Sequence, residues 1–308
     1  MDFHLTNEQQ MLRKMYREFA ENEVKPLAEE IDEEERFPME TVEKMAKLGM
    51  MGIYFPKEYG GAGGDVLSYA MCVEELAKVC GTTAVIVSAH TSLCCAPIFE
   101  HGTEEQKRKY LPDLLSGKKI GAFGLTEPNA GTDSAAQQTI AEKQEDGSYI
   151  INGSKVFITG AGCADTYVIF AMTDKSKGNK GISAFIVDKD DPGFSIGKIE
   201  HKMGIRGSQT GELIFEDMRL SADRLLGKEN GGFLHVAGAS YEIHADIPNT
   251  VQTDEKNVWI GSATGTPRVQ NVKIYNKASG TYEPLDESKT YALAGMNYTL
   301  RNLGDGFA

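Results

Sequence analysis

Near Ile120 the hydrophobic pattern of the chain changes period, and this change constrains the fold more than any other feature. Upstream, apolar residues recur every three or four positions. Leu12, Met15, Tyr16, Phe19 and Val24 share one helical face, and Tyr69, Cys72, Val73, Leu76 and Val79 share another. Downstream, short β-branched and aromatic runs (SYIIN, KVFIT, TYVIFAM, GISAFIVD, GELIFED) crowd between turn residues. A helical domain therefore precedes a β domain. The expected class is a multidomain α+β protein whose middle domain is an antiparallel barrel or sandwich. The boundaries expected are 1–118 for the helical domain, 119–225 for the β domain and 231–308 for a third, mostly β segment.

Local signals refine this division. Thr6 to Gln9 and Thr103 to Gln106 both have the Thr-x-x-Gln form, in which two side chains satisfy orphan amides at a helix start. Pro38 suits the first turn of a helix that stops near Gly49, and helical spacing runs again from Thr83 to Phe99. YGGAGGD (59–65) reads as a flexible loop. Asp146-Gly147 and Asn152-Gly153 both read as hairpin turns, because each pair tolerates positive φ.

Charge narrows the partners. A formal net charge of −13 over 308 residues disfavours nucleic acid and anionic membrane, which reward clustered Lys and Arg. No run of consecutive apolar residues approaches the ~18–20 needed to span a bilayer. MDFHLTNEQQ lacks a basic stretch followed by an apolar one, so a cytoplasmic location without a secretory leader is expected. Cys72, Cys80, Cys94, Cys95 and Cys163 have no metal-site spacing, and four of them lie in apolar helical sequence as buried thiols would. The adjacent Cys94-Cys95 pair leaves a redox site open. The histidines His4, His90, His101, His201, His235 and His244 form no ligand cluster, and no metal is expected.

The domain boundary carries the stretch GLTEPNAGTD (124–133). Domain junctions commonly hold ligand clefts. Gly124 and Gly131 permit close backbone approach. Thr126 and Thr132 offer hydroxyls, and successive amides in such a turn can cradle an anion. Downstream, Phe157, Ile158 and Thr159 end a strand, placing an aromatic face beside a hydroxyl. A ligand-free turn and a core phenylalanine would have the same composition.

GLTEPNAGTDSAA resembles the first signature of the acyl-CoA dehydrogenases. ADTYVIFAMTDKSKGNKGISAFIVDK and KMGIRGSQTGELIFEDMRL resemble the same family's middle domain. The likeness is nearest to the short-chain, butyryl-CoA-type dehydrogenases of anaerobic bacteria and covers residues 1–232 in unbroken order. It implies an FAD site wrapped by Phe123, Gly124, Leu125, Thr126, Glu127, Pro128, Asn129, Ala130, Gly131 and Thr132. It further implies that Phe157, Ile158 and Thr159 flank the flavin ring and that Thr132 also touches the acyl-CoA substrate. The implied chemistry is α,β-dehydrogenation of a short-chain acyl-CoA, with electrons passed to an electron-transferring flavoprotein. A homo-oligomer is implied for a functional molecule.

Beyond RLLGKENGGF the pattern departs from that family, which continues into a helical bundle carrying its catalytic glutamate. Residues 231–308 instead resemble the C-terminal domain of 5′-nucleotidases, through GGFLHVAGASYEI, YEPLDESKTYALAGMNY and LGDGFA. Phe307 stands at the DGF position, whose aromatic stacks on the nucleobase there; an ordinary terminal aromatic is the plain alternative. Glu242 and Glu283 are the acidic residues available in this segment as substitutes for the missing base, and neither has the family's Glu-Gly-Thr context. Asp2-Phe3-His4 has the form of a nucleotidase metal motif without the remaining ligands. Three functions stay open: an impaired FAD-dependent acyl-CoA dehydrogenase, a nucleotide-binding 5′-nucleotidase-related module, and a non-catalytic fusion joined near Gly231–Phe233.

Overall fold

The structure is a computed structural model that describes residues 4–227 and, beyond them, the backbone of strand segments 239–243, 252–253, 259–261, 269–276 and 281–284. Residues 1–232 form one compact unit and residues 233–308 another.

In the first unit several helices start where the sequence supplies a side-chain cap. Helix α1 (Asn7–Phe19) opens on a reciprocal box: Gln9 N–H donates to Thr6 Oγ1 at 3.2 Å and Thr6 N–H to Gln9 Oε1 at 3.0 Å. It turns Tyr16 and Phe19 into the core. Helices α2 (Ala28–Glu33) and α3 (Met39–Lys47) follow, with Pro38 at the N-cap of α3, one residue before the expected place. Asp65 caps α4 (Val66–Ala77), accepting from Ser68 N–H at 2.7 Å. The glycine-rich stretch before α4 is a correction to the expected flexible loop. The amides of Gly61, Ala62, Gly63 and Gly64 donate to the carbonyls of Pro56, Gly52, Phe55 and Ile53 at 2.7–3.1 Å, so the loop is pinned throughout.

Helices α5 (Gly81–Ser88) and α6 (Ala96–His101) are joined without a break by a π-helical stretch, Ala89–Cys95. The 21-residue Gly81–His101 helix is long and apolar enough by length and composition to cross a membrane, although polar residues interrupt its apolar runs. It is mostly buried, as a core helix of a globular unit is. Helix α7 (Glu104–Leu115) opens on the second expected capping box, Thr103 with Gln106.

The β domain is an eight-stranded sheet: β1 (Gly121–Gly124), β2 (Ile140–Lys143), β3 (Tyr149–Ile158), β4 (Thr166–Met172), β5 (Ile182–Asp188), β6 (Phe194–Ile199), β7 (Gly211–Leu220) and β8 (Leu225–Leu226). The strand order is β6-β7-β3-β2-β4-β5-β8, with β1 added beside β4. Most pairings are antiparallel, but β1 and β2 both run parallel to β4, which corrects the purely antiparallel expectation. Asp146-Gly147 makes the β2–β3 hairpin as expected, with Gly147 at φ 82°.

Asn152-Gly153 makes no turn. Strand β3 runs straight through it, with a register shift against β7 between Ile151 and Gly153. Gly153 has φ 144°, and a Cβ there would sit 2.5 Å from Thr139 Oγ1. Asn152 exchanges two hydrogen bonds with Asp217 on β7, at 2.8 and 3.1 Å. The dipeptide therefore serves a bulge, another place where a strand needs unusual φ.

In the second unit the described strands are Ala239–Ile243, Gln252–Thr253, Trp259–Gly261, Val269–Asn276 and Thr281–Pro284, all paired antiparallel. The side chains of Glu242 and Glu283, and Phe307 altogether, lie outside the described residues, as do Asp2 and Phe3.

Candidate functional site

Strand β1 delivers the chain into the loop 125–139, and the loop lies on β3. Val156 N–H donates to the Thr126 carbonyl at 2.8 Å, so GLTEPNAGTD and the Phe157–Thr159 segment are neighbours. Within the loop, Glu127 and Ala130 exchange backbone hydrogen bonds at 3.1 and 3.2 Å, closing a tight turn with Pro128 and Asn129 exposed at its tip. Gly131 and Thr132 are exposed beside them.

The candidate residues divide by where their side chains go. Glu127, Ala130 and Ile158 are buried, at 4%, 1% and 2% exposure, so only their backbone can meet a ligand. Phe123 packs edge-on against Phe170, ring centroids 5.2 Å apart. Gly124 has an internal reason to be glycine: a Cβ would lie 3.1 Å from Leu213 Cδ1 and 3.2 Å from Ile169 Cγ2. Gly131 is the opposite case. Its φ is not in the left-handed region, and apart from its chain neighbours no atom of the described residues lies within 4 Å of where its Cβ would be. Among the described residues no packing contact explains a glycine at this position, and its backbone is bare toward solvent.

Phe157 is the most unusual residue of the site. The residue is 66% exposed although it belongs to a strand, and its backbone is left-handed with φ 60°. A bulky residue in that region is an outlier, and such outliers cluster at functional sites. The cause is the register shift between Lys155 and Ile158 against β7, which turns Phe157 outward while Ile158 stays in the core. Thr159 follows, half-buried, at the end of the strand.

Beneath the loop lies a charged pair that the sequence did not reveal. Lys155 Nζ meets Glu127 Oε1 at 2.7 Å, with the two side chains 0% and 3% exposed. Burial opposes the charge on Glu127, but Lys155, Thr139 and the Gln138 amide outweigh it and hold the carboxyl below its usual range. Burial likewise draws the Lys155 ammonium down, with Glu127 acting against it. A groove of about 430 Å³ adjoins the loop, lined by Glu127, Asn129, Gln138, Thr139, Gly153 and Phe215. It does not reach Phe157 or Thr159, so the loop has two faces that a ligand could use.

A second buried group sits where the π-helical stretch meets β1. Gly121 N–H donates to His90 Nδ1 at 2.9 Å, which places the ring proton on Nε2, 3.3 Å from Cys95 Sγ. Burial pushes the Cys94 thiol up to about 12 and that of Cys95 well above its ordinary value. Both are poor nucleophiles, and the buried-thiol reading fits them better than a redox pair. Among the described residues no cluster of His, Cys, Asp or Glu could hold a metal ion.

A helical domain feeding an eight-stranded sheet, with a glycine-threonine loop fixed against an outward-turned aromatic, defines the fold class of the acyl-CoA dehydrogenases. Residues 6–118 match the acyl-CoA dehydrogenase N-terminal domain and residues 122–218 its middle domain, so this part of the chain belongs to that family. The short-chain-specific acyl-CoA dehydrogenase of Clostridium acetobutylicum is 69% identical over 233 residues, 76% of this chain and 61% of that protein. Butyryl-CoA dehydrogenase from Megasphaera elsdenii superposes with a TM-score of 0.73 at 52% identity, covering 75% of this chain and 61% of that one. A glutaryl-CoA dehydrogenase from Mycobacterium smegmatis, solved with FADH2, gives 0.69 at 34% identity over 74% and 57%. The chain thus spans about three-fifths of the length of the curated relatives it matches.

Proposed function

We propose that residues 1–232 bind FAD and are built for α,β-dehydrogenation of a short-chain acyl-CoA. The observation that carries this reading is the pairing of an outward, strained Phe157 with a loop whose Gly131 backbone is bare toward solvent. Phe157 covers one face of a planar ring system, and Thr126 and Thr159 offer hydroxyls to its polar edge. The amides from Asn129 to Thr132 face the polar remainder of the cofactor, and Thr132 is shared with the acyl-CoA. Bound FAD supplies the two-electron acceptor for the hydride leaving the substrate β-carbon.

Removal of the α-proton requires a positioned carboxylate. Glu127, the carboxylate inside the loop, is held by Lys155 and the amides of Gln138 and Thr139, which rules it out as that base. Residues 231–308 do not resemble the family's bundle, so turnover by this chain is proposed to be slow, by ~10²–10⁴-fold for the loss of acid–base catalysis alone. Two similar proteins, one from a structure of an electron-transferring flavoprotein and one a subunit of a reductase–Etf complex, support an electron-transferring flavoprotein as electron acceptor; a cytoplasmic setting and a homo-oligomer rest on the sequence resemblance alone. For residues 231–308 the sequence likeness supports a nucleotide-binding module related to 5′-nucleotidases, joined as a fusion. Nucleoside binding by the full chain, read by calorimetry, tests it.

Equilibrium titration of flavin-free protein with FAD tests the main reading. Saturable binding is expected, and Thr159→Val weakens it by about 1 kcal/mol, the usual net worth of a hydrogen bond. A chain that takes up no FAD, or a variant that binds as tightly as the parent, counts against the assignment.

A further inference from the structure

Lys155 has a buried ammonium with three N–H donors. All three are taken: by the Leu125 carbonyl at 3.2 Å, Glu127 Oε1 at 2.7 Å and Gln137 Oε1 at 3.1 Å. Leu125 and Glu127 lie on the limb of the loop that leaves β1, and Gln137 lies on the limb that enters β2. Glu127 closes the arrangement by accepting from the amides of Gln138 and, at 3.0 Å, Thr139 on the second limb. One cation and one anion therefore bind both limbs to β3, two residues before Phe157.

A buried ion pair adds little stability on average over an apolar pair of similar volume, because desolvation offsets most of the attraction. A fully satisfied polar network does fix geometry, since each member has few alternative arrangements. We propose that Lys155 and Glu127 are positioning residues that hold the loop 123–132 and the Phe157–Thr159 segment in their binding arrangement before any cofactor arrives. The proposal rests on the flavin reading above. It also makes a claim about the ligand-free chain that does not depend on that reading.

The test uses the full chain, the double variant Glu127→Leu/Lys155→Met, and the milder Gln137→Ala, which removes one acceptor and keeps the ion pair. Two quantities are read: hydrogen exchange at the amides of Gln138, Thr139 and Val156 without flavin, and FAD affinity with the absorption envelope of the bound flavin. Exchange at these amides is expected to speed up at least tenfold in the double variant, with melting changed by only a few degrees. FAD affinity is expected to fall at least tenfold with a shifted envelope, and Gln137→Ala to lie between. If the double variant fails to fold, Gln137→Ala decides by the same readouts. Unchanged exchange overturns the proposal, as does faster exchange with FAD affinity and spectrum like the parent's. If the parent itself binds no FAD, the functional reading fails. The clamp then stands or falls on the exchange data alone.

Discussion

Phe157 combines a strained backbone with an exposed side chain. A left-handed backbone at a residue with a Cβ costs about 1–2 kcal/mol, and a residue 66% exposed recovers little of this by burial. Asn tolerates that conformation, so Phe157→Asn should raise the stability of the flavin-free chain by about 1 kcal/mol. The same change should weaken FAD binding. Urea unfolding and flavin titration of one preparation check both signs, and a variant that loses stability would show that the ring packs within the protein. His90 is the opposite case. Burial holds its imidazole down at about 4, because protonation would remove the acceptor for Gly121 N–H and place a charge in the core; the nearby Leu114 and Met51 carbonyls act the other way. An unfolded histidine titrates near 6.5, so between those values the unfolded chain binds the extra proton. The stability that His90 contributes is complete above about pH 6.5 and is lost toward pH 4, at about 1.4 kcal/mol per unit. His90→Asn should flatten that slope in unfolding measured from pH 7 to pH 4.5; an unchanged slope would assign the acid sensitivity to other groups.

At the scale of elements, legibility follows sequence distance. Both capping boxes and the Asp146-Gly147 hairpin are fixed by partners two to four residues away, and each appears where the sequence placed it. The change of period at Ile120 separates helices from strands because it records which faces are buried. Asn152-Gly153 forms a bulge and not the expected turn because the dipeptide reports only tolerance of unusual φ, which turns and bulges share; its deciding partner, Asp217, is 65 residues away. Lys155 was invisible for the same reason, its acceptors lying 18 to 30 residues off. The candidate loop residues are named by resemblance. Their division into exposed and inward-facing members is not legible in the sequence, since it depends on packing across β3, β4 and β7. Asn152→Ala removes both bonds to Asp217 from an exposed bulge and should cost about 1 kcal/mol. Denaturant unfolding checks the value, and a neutral substitution would mean that Gly153 alone sustains the bulge.

On the scale of the whole first unit, the helical and β domains are expected to unfold together. The largest core cluster runs without interruption from Tyr16, Met45 and Val87 to Ile151, Phe185 and Leu213. Polar contacts reinforce this seam. Gln106 Nε2 donates to the carbonyls of Asp223 and Leu225 at 2.7 and 2.9 Å. Arg206 N–H donates to Asp32 Oδ1 at 3.0 Å, and its guanidinium to Glu35. Arg224, near the end of the unit and 6% exposed, reaches Tyr110 on α7 and also binds Asp188 at 2.7 Å and Asp191 at 2.6 Å. Removing it leaves two part-buried carboxylates without their cation, a change that costs about 3 kcal/mol. Arg224→Ala should therefore lower the melting of the helices, read by circular dichroism at 222 nm, although Arg224 itself belongs to the β domain. Global exchange of the amides in β3, β4 and β7 should accelerate in Arg224→Ala to the same extent as that of the helices. Exchange that separates the strands from the helices, or a helical transition indifferent to Arg224→Ala, would mean that the helices fold without the sheet. The loop between them would then lack a fixed frame, because His90 and Lys155 position it from opposite sides of that seam.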